Sequence, residues 1–228
     1  MCLLTVASQI FLVLFSALLL CGTLKAQIND AGLWTSFSLE AKLAKKISVN
    51  LSEELRFKEN ISEIGTAFTE AGLSYKLNKH FQVSANYRFT QKRRTDNNYN
   101  TKQRVYIDVK YDKKIKPIKV TFRSRLQDEF PQRGHSADAG ATNFYIRNKL
   151  NIEWDLDKPF APYLSAELFS PLNYPREYFF DNIRSSAGIE YTPAKNHKID
   201  LYYMIQNELN VSNPETDFIL GIGYSFKL

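Results

Sequence analysis

The chain has 228 residues, 44% of them hydrophobic, 24% charged and 14% aromatic, with a formal net charge of +6. That length points to one domain, and the apolar and aromatic content excludes a disordered chain. A mean hydropathy of −0.35 excludes a bundle of membrane helices; it leaves a membrane barrel open, because only half of each barrel strand is apolar.

Taken in chain order, the first element stands outside the fold. Residues 3–20 are nearly all apolar, and Lys25 is the first charged side chain. The pattern predicts a secretory signal peptide over 1–26, cut after Ala26. A single membrane anchor is one rival reading. Lipid attachment at Cys21 is another, opposed by the bulk of Leu20. Cleavage would remove both cysteines, Cys2 and Cys21, so a mature domain at 27–228 would have no disulfide and no thiolate chemistry. Its remaining charge is mildly basic and mixed in sign, unlike the block that a nucleic-acid partner requires.

Beyond Ala26, apolar and polar residues alternate with period two. In 47–58 the odd positions are Ile47, Val49, Leu51, Glu53, Leu55 and Phe57, and the even ones are polar. In 81–90 Phe81, Val83, Ala85, Tyr87 and Phe89 share one face. In 144–155 Phe144, Ile146, Leu150, Ile152 and Trp154 do, with Asn148 as the exception. Such alternation predicts half-apolar strands. Eleven are expected, at 33–43, 47–59, 67–77, 81–92, 102–112, 118–130, 143–155, 160–169, 180–191, 198–209 and 217–228. Short connections such as Ala44–Lys46 and Asn78–His80 alternate with longer polar ones, as in an outer-membrane barrel. The likeness of Lys42-Leu43-Ala44-Lys45 to Lys76-Leu77-Asn78-Lys79 reads as successive hairpins.

Alternation alone does not say which face points outward. Aromatic residues at the strand ends decide it. Tyr75, Phe81, Tyr111, Trp154, Phe160, Tyr191 and Tyr224 fall towards the short turns, and Phe89, Phe144 and Phe218 towards the long loops. Eight to ten residues of tilted strand span roughly 20–25 Å, the height of a lipid-facing apolar band between two aromatic girdles. The fold expected is therefore all-β: a single antiparallel up-and-down transmembrane barrel of 10–12 strands. An antiparallel sheet closes only on an even count unless its first and last strands run parallel. Twelve is favoured, with a short extra strand in 27–32.

The polar face is then the lining of the lumen. It carries Glu54, Arg56, Glu70, Arg88, Arg104, Asp108, Arg123, Arg125, Arg147, Lys149, Glu167, Arg184, Glu190 and Glu208. Buried charges of both signs are costly unless paired, so the expectation is a lumen filled by its own ion pairs, with a structural or interaction role. The excess of basic residues, with Arg123 and Arg125 on one strand face, suits a narrow, weakly anion-selective channel as the alternative. A lipid-acting barrel enzyme is the third reading. It lacks support: His80 and His197 fall in short turns and His135 in a long loop, none beside a serine on the apolar face. Glu167 and Glu190 suit salt bridges to Arg147 or Arg184 better than an acid–base pair. No cofactor, metal site or nucleic-acid partner is expected.

The stretch from Asp30-Ala31-Gly32-Leu33-Trp34 to the C-terminus resembles the uncharacterised outer-membrane barrel family called domain of unknown function 2490, found mostly in Bacteroidetes-type bacteria. The resemblance rests on Tyr87-Arg88-Phe89, Arg123-Ser124-Arg125-Leu126-Gln127, Ile146-Arg147-Asn148-Lys149-Leu150, 162–169 and Ile219-Leu220-Gly221-Ile222-Gly223-Tyr224. It implies a barrel in the outer membrane of a Gram-negative bacterium. The partners implied are the lipid bilayer and, during biogenesis, the insertion machinery, which reads an apolar terminal strand such as 217–228. It transfers no catalytic residue.

Overall fold

The computed structural model describes residues 29–94, 98–131, 143–173 and 179–228. The signal peptide expected over 1–26, like His135, lies outside them. Every element is a strand: β1 (Asn29–Lys42), β2 (Ile47–Lys58), β3 (Glu63–Lys76), β4 (Phe81–Arg93), β5 (Tyr99–Ile115), β6 (Ile118–Pro131), β7 (Asn143–Trp154), β8 (Phe160–Pro171), β9 (Asn182–Ala194), β10 (His197–Glu208) and β11 (Thr216–Lys227). Each agrees within a few residues with the alternating segments, because period-two patterning is what a two-faced sheet selects.

The strands close into one barrel in chain order. Every sequential pair is antiparallel, and β1 meets β11 in parallel, from Asn29↔Thr216 to Glu40↔Lys227. The barrel is thus eleven-stranded, which corrects the expectation of twelve. Residues 29–32 make no strand of their own. They prolong β1, pairing with 216–219 of β11, while the same strand pairs with β2 from Leu33↔Phe57 onward. A separate strand would need a chain reversal before Leu33. Instead Ala31, Leu33, Thr35, Phe37 and Leu39 keep one unbroken alternation, and the parallel ladder leaves no open edge.

One rim carries tight turns. Leu43 N and Ala44 N donate to Ile47 O at 3.0 and 3.2 Å, and Leu77 N and Asn78 N repeat the pattern on Phe81 O. The likeness between these two sequences is therefore a hairpin likeness. The opposite rim carries the longer connections. The β2–β3 connection there is as short as those of the first rim, and its Glu59, Asn60 and Ile61 all have φ between 54° and 67°, a strained run for residues with side chains. The Asp30 carboxylate holds it by accepting from Glu59 N and Asn60 N, at 3.2 and 2.9 Å.

Alternate residues line the two faces. Leu51, Leu73, Ile107 and Leu164 project outward and are 49%, 52%, 52% and 52% exposed. Arg125, Arg147 and Glu167 point inward and are each 6% exposed. The outward face has a few polar exceptions, among them the acids Glu53 and Asp128. Glu53 Oε2 accepts from the Thr69 hydroxyl at 2.9 Å.

Candidate functional site in the bore

Two glycines on the inward face make room for aromatic side chains that lie flat against the wall. A Cβ on Gly221 would sit inside the Tyr202 ring, and one on Gly188 would strike the Tyr163 ring. Tyr163 uses that space to reach across β9, where its hydroxyl donates to Asp200 Oδ1 at 3.0 Å.

The charged residues expected in the lumen do face it, and register decides their partners. On β2, Arg56 Nε donates to Glu54 Oε1 at 2.6 Å. Arg88 binds Glu70 at 2.6 Å. Arg125 grips Asp108 with both Nε and Nη2, at 2.7 and 2.8 Å, the two-pronged geometry that suits guanidinium and carboxylate. Arg147 binds Glu167 at 2.8 Å and donates to Gln127 at 3.2 Å. Arg123 shares the same Glu167 oxygen at 2.5 Å. Glu190 pairs with Lys198 at 2.9 Å rather than with an arginine.

Three of the expected residues stand apart from this pairing. Glu208 lies at the long-loop rim, where it accepts from the backbone N–H of Glu215 at 3.2 Å; it ends a strand and faces Asn182 across the ladder. Arg184 finds a neutral partner, Gln206, at 2.7 Å. Lys149 has neither ion pair nor hydrogen bond among the described residues. Conversely, Arg104 takes Glu129, which also accepts from Lys102 at 2.9 Å. Glu129 continues the polar alternation Arg123, Arg125, Gln127, and that signal would have named it.

Aromatic rings on the inward face were also missed. The Arg56 guanidinium lies 3.6 Å from the Trp34 ring centre, Arg88 3.7 Å from Phe68, Arg125 3.6 Å from Tyr106 and Arg147 4.2 Å from Phe169. Arg184 lies between Phe169 and Trp34, at 4.7 and 5.2 Å. These contacts run from β1 round the wall and return to Trp34. Arginines stacked on rings in this way are held by the ring quadrupole as well as by their acids. The signal was present as bulky aromatics interrupting the polar alternation.

Two hollows lie to either side of this belt. One, of about 590 Å³, opens at the short-turn rim and reaches Glu70, Tyr106, Asp108 and Arg125. The other, of about 310 Å³, lies towards the long-loop rim and ends on Phe169, Asn182 and Arg184. They share no lining residue, and Trp34, Arg56, Phe68, Arg88 and Arg147 line neither. A third concavity, of about 830 Å³, is on the outer wall, floored by Ala71 and Ala85 among leucines.

The aromatic residues expected at the strand ends all lie on the outward face. Phe81 sits 4.9 Å from Tyr111, and Phe160 stacks on Tyr191 at 4.6 Å. Tyr75, Phe89, Phe144, Trp154, Phe218 and Tyr224 share that face by register. Both described histidines are at the short-turn rim. His80 Nδ1 lies 2.8 Å from the Asp112 carbonyl and His197 Nδ1 2.7 Å from the Tyr224 hydroxyl. Among the described residues no group of three or more His, Cys, Asp or Glu side chains could hold a metal ion.

A family model described as "Protein of unknown function (DUF2490)" matches residues 31–217. Among solved structures, the chain is similar to the NanC porin, with a TM-score of 0.55 and 14% identity, over 87% of this chain and 98% of that one. The β-domain of the Bordetella autotransporter Brka gives a TM-score of 0.49 at 9% identity, over 78% of this chain and 82% of that one. No curated protein sequence matches.

Proposed function

The chain belongs to the DUF2490 family of proteins of unknown function, and from that premise we propose an outer-membrane barrel with a closed, ion-paired bore and a structural or interaction role. It reaches the membrane by export on the signal at 1–26 and insertion through its apolar last strand, on which Phe218, Leu220, Ile222, Tyr224 and Phe226 share a face. It meets lipid with the outward wall and outside partners with the long loops. Barrel fold and an apolar wall flanked by aromatic side chains support the location. The observation that carries the closed bore is that the two hollows share no lining residue across the arginine–aromatic belt. No catalytic step is assigned; Nδ1 of His80 and Nδ1 of His197 engage a rim carbonyl and a tyrosine hydroxyl.

Planar-bilayer recording tests this. The folded barrel is expected to be silent, and steady open-channel steps would overturn the closed reading. The second reading, a narrow anion-selective channel, is favoured by the surplus of cations on β6 and β7. A reversal potential displaced towards the anion under a salt gradient would establish it.

A further inference from the structure

Among the cations that face each other directly across neighbouring strands on the inward wall are Arg88↔Arg104, Arg125↔Arg147 and Arg123↔Lys149; Arg123 also faces Lys110, which pairs with Asp112. Like charges in directly opposed positions repel. In the first two pairs each cation turns away to a carboxylate of its own: Glu70 and Glu129, then Asp108 and Glu167. The third pair has no such resolution. Arg123 is the second claimant on the Glu167 oxygen that Arg147 already holds, and its buried Nε has no partner. Lys149, between Arg123 and Glu167 in the register, has none either. Arg184 follows Glu167 on the other side and reaches only Gln206. Arg123, Arg147, Lys149 and Arg184 therefore face one carboxylate. The next one along the register, Asp217, accepts from Gln206, and Asp200 on the same wall accepts from Tyr163.

We propose that Arg123 and Lys149 form a binding site for a small oxyanion, a carboxylate or a phosphate, on the β6–β7 wall of the bore. Direct strand partners hold their Cα atoms within about 5.5 Å, so the guanidinium of Arg123 and the ammonium of Lys149 are within reach of one small anion. An Nε–H and an ammonium are the donors that oxyanions take up, by charge-assisted hydrogen bonds. A bound anion supplies the countercharge that the wall lacks, where unpaired cations inside a barrel are costly. The site does not depend on whether the bore conducts.

The test uses the full chain folded in neutral detergent. Inorganic phosphate is titrated at constant ionic strength, with chloride as the balancing anion, and the thermal midpoint of the folded barrel is followed. A saturable rise is expected, as for any ligand that binds only the folded state, with acetate acting in the same way. Lys149→Gln and Arg123→Gln each weaken the apparent phosphate affinity by about tenfold or more. Lys149→Arg retains it, and Lys116→Gln, on an exposed turn, leaves it unchanged. Equal responses to phosphate and chloride would overturn the site, as would unchanged phosphate affinity in Lys149→Gln. Should that variant not fold, calorimetric titration of the unaltered protein decides: saturable phosphate heat supports the site, and its absence rejects it. Bilayer conductance is a separate readout, so a leaky barrel with an intact phosphate response would fail the closed-bore reading alone.

Discussion

The outer and inner surfaces of this barrel are made by alternate residues of the same eleven strands, yet they are specified to different depths. Outside, Leu51, Leu73, Ile107 and Leu164 have no particular partner; any apolar side chain of similar size satisfies a hydrocarbon solvent. Inside, Arg125 needs Asp108 one strand away, and Tyr202 needs the missing side chain of Gly221. A class of residue suffices on one face, whereas the other demands a particular residue at a particular register. Substitutions should therefore cost more inside than outside.

The strongest way to break that contrast is Glu167→Gln. It keeps the volume but removes the one carboxylate shared by Arg123 and Arg147, in a residue 6% exposed. A loss of about 3 kcal/mol is expected, measured by urea unfolding of the detergent-folded barrel. An unchanged midpoint would mean that lumen water, not Glu167, neutralises these cations. Gly221→Val should cost about 2 kcal/mol by driving the Tyr202 ring from the wall. Combining it with Tyr202→Ala should cost less than the two changes summed; strict additivity would show that the ring and Gly221 do not compete for space. Glu53→Leu should act with the opposite sign. It replaces an outward mid-strand acid, held only by the Thr69 hydroxyl, with the apolar class that the face prefers. A gain of about 1 kcal/mol is expected in lipid vesicles, and a loss would indicate that something other than lipid covers this part of the wall.

The same contrast explains what could be read in advance. Strand positions and the outward face follow from local alternation, so the stretches around Leu51, Val83 and Ile146 were legible residue by residue. Partner choice depends on how neighbouring strands slide past each other, and a single strand does not encode it. Glu190 therefore falls to Lys198 rather than to an arginine, and Arg104 falls to Glu129. Closure was hidden for a related reason. Nothing in 29–40 distinguishes a strand bound on both edges from one with a free edge, and only the ladder from Asn29↔Thr216 to Glu40↔Lys227 settles that the first and last strands run the same way.

That odd strand count has a practical corollary. The chain enters β1 beside Asp30 and the 59–62 connection, and it leaves β11 where Leu228 N meets the Glu40 carbonyl, next to the tight turns. A barrel of even count would bring both points out together. Here a fluorophore attached just ahead of Asn29 and another at Leu228 would stand on opposite sides of a vesicle wall, and an impermeant quencher added outside would dim one while sparing the other.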